Sequence, residues 1–256
     1  MRSPPPLKSP RRREPDREPR DAGWIWGAHA VLAAAANPRR RIERLLATRN
    51  AASRLPEGVA HEVVEPASLD RLLPPQAVHQ GFALKAAPLA PLTLQEACLP
   101  LDGRPVVILD QLTDPQNVGA IFRSAAAFGA RALVQQDRKS PPLAGALAKA
   151  AVGAIEQVAH VEVVNIARAI EELADHGYLT LGLDGEAPAS LAAAAQDPRP
   201  IALAIGAEDR GLRQLVGARC ERLARIPMAP GMESLNASVA AAIALYEISR
   251  RGDAGG

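Results

Sequence analysis

Side chains able to do chemistry concentrate in three short blocks of the second half of the chain. In DQLTDPQNVGAIFRSA, residues 110–125, Asn117 can hold a polar group or cap the helix that follows, and Arg123 offers a planar fork of donors suited to phosphate. In IGAEDRGL, residues 205–212, Gly206 and Glu208 directly follow the apolar run Ile201–Ile205. That is the carboxyl end of a strand, where open α/β sheets bind ligands, and Gly206 lets a ligand approach the backbone closely. In residues 226–242, Ile226-Pro227-Met228 reads as extended, Pro230-Gly231 as a turn, and Ser234-Leu235-Asn236 as the entry to an Ala-rich helix whose first amides can hold a polar edge. Taken singly, each has a plainer explanation: a surface arginine, an acid complementing a helix dipole, a pair of cap residues.

The elements around these blocks give them positions. Val106–Leu109 is a short apolar run, followed by a polar loop with Asp114-Pro115 and a helix over Val118–Phe128. Val118, Ile121, Phe122 and Ala125 share its buried face, Arg123 lies off it, and the small Gly119 and Ser124 leave room for a bulky ligand. Ala132–Val134, Leu143–Val152, Val161–Val164, Ile166–Ala174, Leu179–Leu183, Ile201–Ile205, Leu212–Val216 and Asn236–Arg250 continue the alternation of strand and helix. Strands that are apolar throughout and alternate with helices predict a mostly parallel sheet covered on both faces. Upstream, Ala28–Ala36 is helix-forming, Ile42, Leu45, Leu46 and Arg49 fall at helical spacing, His61–Val64 suits a strand and Ser68–Leu73 a capped helical turn. The expected organisation is a Pro/Arg-rich tail over 1–22, a small α/β unit over 23–85, a linker over 86–103, the large domain over 104–251 and a flexible end over 252–256.

Composition narrows the field. Of the 256 residues 48% are hydrophobic, enough for a real core, but only 3% are aromatic, so stacking platforms for single-stranded bases are not expected. Cys98 and Cys220 lie far apart with no CxxC or Cys/His spacing, and His29, His61, His79, His160 and His176 show no ligand spacing, so no metal site is expected. No apolar run reaches the roughly 18 residues of a membrane helix, and the amino terminus lacks the apolar core of a signal peptide, which leads us to expect a soluble, cytoplasmic protein. Net charge is +2, with seven Lys/Arg against four acids in residues 1–22. Such a tail reads as solvated, with salt-sensitive attraction to phosphates in addition. Neither GxGxxG after a strand nor GxxxxGK[ST] occurs, which excludes the common dinucleotide and P-loop sites.

In this order, the three blocks resemble the motifs of the SpoU-type (TrmH) RNA 2'-O-methyltransferases, and Trp24–Asn37 with His79–Leu84 are similar to the RNA-binding domain of that family's ribosomal-RNA branch. The resemblance implies a trefoil-knotted SPOUT domain, S-adenosylmethionine as cofactor, a homodimer formed through the catalytic domain, and RNA as partner. A guanosine of large-subunit (23S) ribosomal RNA is the implied target; transfer RNA, or a non-catalytic role in ribosome assembly, are the alternatives. It further implies Asn117, Arg123, Glu208, Ser234 and Asn236 as the catalytic set, Gly206, Ile226, Met228 and Leu235 as cofactor contacts, and His29 and His79 as residues that touch RNA.

Overall fold

The computed structural model describes residues 23 to 253 except 139 and 233. The expected tail over 1–22 lies outside the described residues, as does the terminal segment beyond Asp253; Gly252 and Asp253 continue the last helix.

The first unit is a four-stranded sheet in the order β1-β4-β2-β3: Trp24–Trp26 (β1), Ile42–Ala47 (β2), Glu62–Val63 (β3) and Phe82–Ala86 (β4). It carries the helices Ala28–Ala36 (α1), Arg49–Ala52 (α2) and Pro66–Leu72 (α3). The helical spacing read over Ile42–Arg49 gives way here to a strand. Leu45 and Ala47 enter one core and Leu46 another, so the strand is covered on both faces, and a run buried on both faces cannot be told from a helix by period. The connection that follows ends in a helix, Leu94–Cys98 (α4), whose capping box pairs Thr93 with Glu96.

The second unit is an all-parallel six-stranded sheet in the order β10-β8-β9-β5-β6-β7. Its strands are Val106–Leu109 (β5), Ala132–Gln136 (β6), Ala159–Val163 (β7), Leu179–Leu183 (β8), Ile201–Ile205 (β9) and Arg222–Ala224 (β10). The intervening helices are Pro115–Ala127 (α5), Gly145–Ala151 (α6), Ile166–Asp175 (α7), Leu191–Ala194 (α8), Gln214–Arg219 (α9) and Ala237–Asp253 (α10), with a 3-10 turn at Ala154–Glu156. Alternate strand residues serve opposite faces. Val107, Leu109, Leu203 and Ile205 pack with α5, α6 and α10, whereas Val106, Ile108, Ala202 and Ala204 pack with α4 and α7. No described helix is long and apolar enough to cross a membrane.

Gly119 does not leave room for a ligand, as its sequence neighbours suggested. A Cβ there would lie 2.6 Å from the Leu147 carbonyl oxygen and 2.6 Å from the Ala150 methyl, so the gap is filled by α6 and the absent side chain serves helix packing.

Candidate active site

The three sequence blocks converge at the carboxyl edge of the parallel sheet. Asp114, not Asn117, caps α5: its carboxylate accepts from the amides of Gln116 and Asn117 at 3.2 Å each, with Pro115 in the first turn. Asn117 therefore sits inside the first turn with its side chain free to reach outward. Its Nδ2 donates to Glu208 Oε1 at 2.9 Å. Asn236 Nδ2 donates to the same oxygen at 2.5 Å and to Asn117 Oδ1 at 3.0 Å, and the Ala237 amide, at the start of α10, adds a bond of 3.2 Å to Glu208 Oε1. Asn236 Oδ1 accepts from the amides of Ser238 and Val239, so Asn236 caps α10 while its amide group completes the cluster.

Loop 206–213 holds Glu208 in place through two contacts. Ala207 and Gly211 exchange backbone hydrogen bonds of 3.1 and 2.8 Å, folding the loop back so tightly that a Cβ on Gly206 would lie 2.0 Å from the Gly211 carbonyl carbon. Asp110, fully buried at the end of β5, accepts from Arg213 through the backbone amide at 2.9 Å and through Nε at 2.8 Å. A buried carboxylate needs such a partner, and this one ties the loop to β5.

Beside the cluster lies a partly open cavity. Its lining includes Gly206, Glu208, Ile226, Met228, Ser234 and Leu235. Ser234 lines it without joining the Asn117–Glu208–Asn236 network. Arg123 is exposed on α5 and belongs to neither. Six residues beyond Asn117, it stands about 9 Å along the helix and about 120° around it. His29 is exposed on α1. His79 is engaged within the first unit, its Nδ1 accepting from the Gly81 amide at 3.0 Å and its Nε2 lying 3.1 Å from Asp70 Oδ1 on α3.

Comparison with known proteins identifies the family of the chain. The model of the SpoU rRNA Methylase family matches residues 104–246, more than half the chain. The chain belongs to the SpoU rRNA methylase family. A second model, for RNA 2'-O ribose methyltransferase substrate binding, matches residues 24–92. The 23S rRNA (guanosine-2'-O-)-methyltransferase RlmB of Pseudomonas putida is 35% identical over 246 residues, covering 89% of this chain and 96% of that protein. RlmB of Ralstonia nicotianae is 41% identical over 175 residues, 68% of this chain and 70% of its own length. Among solved structures, the SpoU methyltransferase AviRb from Streptomyces viridochromogenes shares the fold, with a TM-score of 0.77 over 91% of both chains at 23% identity. An RNA 2'-O ribose methyltransferase structure gives 0.73 over 90% of this chain and 88% of its own at 25% identity.

Within this SpoU family member the sequence reading missed two groups. Asp184 and Gly185 line the cavity directly after β8, at the same edge as Gly206 after β9. The rule that placed Gly206 would have found them, had the sequence revealed that β8 lies beside β9. Asp110 was quoted as part of a motif, but its burial against Arg213 had no local signal, because the two lie 103 positions apart.

Proposed function

We propose that the protein transfers a methyl group from S-adenosylmethionine to a ribose 2'-oxygen of RNA, and that the target is a guanosine of 23S ribosomal RNA. The observation that carries this reading is the joining of Asn117, Glu208 and Asn236, from three separate motifs, in one cluster whose Glu208 also lines the cavity. The RlmB relatives and the substrate-binding match over residues 24–92 support the ribosomal target.

The cavity suits the cofactor: Ile226, Met228 and Leu235 offer apolar walls, while Gly206 and Gly185 bring backbone to its edge. When bound, S-adenosylmethionine supplies an electrophilic methyl group. The chain's own task is to align the ribose oxygen and stabilise its developing negative charge. Glu208 Oε1, taken by three donors, locks the two asparagine side chains, leaving Oε2 as the acceptor for an incoming hydroxyl. Ser234, on the cavity wall, donates to the ribose. A guanidinium is a poor base, so Arg123 grips the neighbouring phosphate instead of taking the proton.

The reading includes the trefoil knot of the family, a cytoplasmic setting and a homodimer formed through α10. Val239, Ile243 and Tyr246 stand exposed at spacings of four and three on that helix, while Ala237, Ala241 and Ala244 pack inward. An exposed apolar stripe continuous with the site-bearing helix supports self-association. Tyr246→Glu is expected to give a monomer in sedimentation; a parent chain that is itself monomeric at all concentrations refutes the dimer.

The test of the activity is transfer of label from S-adenosylmethionine to unmodified 23S rRNA and, separately, to tRNA transcripts, with Asn236→Ala as control. Label at one rRNA ribose that vanishes in the control is the expected result. Label in tRNA alone overturns the ribosomal target, and no label in RNA or in assembling subunits overturns the enzyme.

A further inference from the structure

The two family-matched regions are joined by a buried ion pair. Arg40 follows α1 in the first unit, and Glu156 closes the 3-10 turn after α6 in the second. Their side chains are 2% and 7% exposed, with Arg40 Nη2 at 2.8 Å and Nε at 3.0 Å from Glu156 Oε1. Asn37 Nδ2 donates to Glu156 Oε2 at 2.5 Å, and Arg40 Nη1 to the Ala87 carbonyl at 3.3 Å. A second tie lies along the same seam: Gln80 Oε1 accepts from the Ala28 amide at 3.0 Å and from Lys149 Nζ, on α6, at 3.2 Å. Around them Ile25, Val31 and Leu84 of the first unit share one apolar core with Leu147 and Ile155 of the second.

Stability alone does not call for this pair, because a buried ion pair is often no more stabilising than apolar side chains of similar size. It does fix an angle, since the planar guanidinium engages the carboxylate through two donors. The pair fastens the first unit to the segment α6–Glu156; α6 meets α5 backbone to methyl at Gly119; and α5 carries Asn117 two residues earlier. A continuous series of contacts thus runs from the first unit to the cluster.

We propose that Arg40 and Glu156 are positioning residues: their pair sets where RNA held by residues 24–92 meets the Asn117–Glu208–Asn236 cluster, and so selects which ribose is presented. The inference rests on the RNA-methylating function proposed above.

Two variants test it in the full-length chain. Arg40→Lys keeps a cation but loses the fork; Arg40→Met combined with Glu156→Met removes both charges together, so neither is left buried alone, and if it fails to fold, Arg40→Lys carries the test. The expected result is an S-adenosylmethionine Kd within twofold of the parent, a KM for the rRNA at least tenfold higher, and label spread over neighbouring riboses. Parent KM and a single unchanged methylated ribose in the folded variants overturn the inference, even if Tm falls. Amide hydrogen exchange over α1 and residues 154–156 reads the same device without activity. Faster exchange in the variants supports it, and unchanged exchange overturns it. Loss of RNA methylation by the parent itself defeats the proposed function and leaves exchange to decide whether the pair holds the two units.

Discussion

Replacing Gly119 by alanine sets helix propensity against packing, and the structure decides the sign. In an isolated helix the change stabilises by about 1 kcal/mol. Here the added methyl would lie 2.6 Å from both the Leu147 oxygen and the Ala150 Cβ, and 3.1 Å from the Ala151 nitrogen. Ordinary carbon contacts begin near ~3.5 Å, so α5 and α6 must part by about 1 Å. Because backbone atoms are in the way, no rotamer change relieves the clash, and overpacking costs about 3 kcal/mol, the upper end of its range. The net is a loss of about 2 kcal/mol, or roughly 4–8 °C in Tm for a chain of this size. Asn117 rides on the displaced helix, and on the role proposed for it a shift of about 1 Å lowers kcat by roughly a hundredfold. Thermal unfolding and single-turnover methylation check the two parts. Adding Ala150→Gly is expected to restore only a portion, since the Leu147 oxygen remains. A Gly119→Ala protein as stable as the parent or more so, with parent-like turnover, would refute the reasoning.

Burial pushes the His160 imidazole down to about 4 from 6.5, neither ring nitrogen has a hydrogen-bond partner, and the nearest acid, Glu162 at 3.8 Å, is itself raised by burial and by Asp137. At neutral pH the two are therefore not an ion pair. The lowered value contributes stability that is complete above about pH 6.5 and is lost as pH falls towards 4, amounting to about 2 kcal/mol between pH 7 and 5. Urea unfolding at both pH values is expected to show His160→Leu losing about 2 kcal/mol less than the parent; equal slopes count against the buried neutral imidazole. Asp184, with one oxygen turned to the Glu186 amide, leaves the other to accept a cofactor hydroxyl or ammonium, so Asp184→Asn should weaken S-adenosylmethionine binding by about tenfold, near 1.4 kcal/mol, in calorimetry. An unchanged Kd removes it from the cofactor site. Arg123→Lys should raise the KM for RNA several-fold and leave cofactor binding alone; near-parent kinetics would show that the planar fork is not needed.

What the sequence revealed and what it hid divide along a physical line. The strands Val106–Leu109, Leu179–Leu183 and Ile201–Ile205 were legible to the residue because both their faces are buried, leaving continuous apolar runs between turn signals. The three-residue β10 and four-residue α8 were not, being too short for any period to register. Ile42–Ala47 misled for a related reason: its apolar positions answer to two cores, and their spacing imitates a helix turn. At the site, the motifs contained Asn117, Glu208 and Asn236 but gave no sign of the bonds that join them. Asn117 was read as a helix cap, yet Asp114 takes that task, and only because it does can the Asn117 amide cross 91 positions to Glu208. Gly206 lines the cavity, and its missing side chain also admits the Gly211 backbone, which the sequence did not disclose. In each case residue type was local information and partnership was not: which atom fills the space beside a glycine, or which carboxylate an asparagine meets, depends on strand order, and the order β8-β9-β5 brings together segments that the chain visits out of turn.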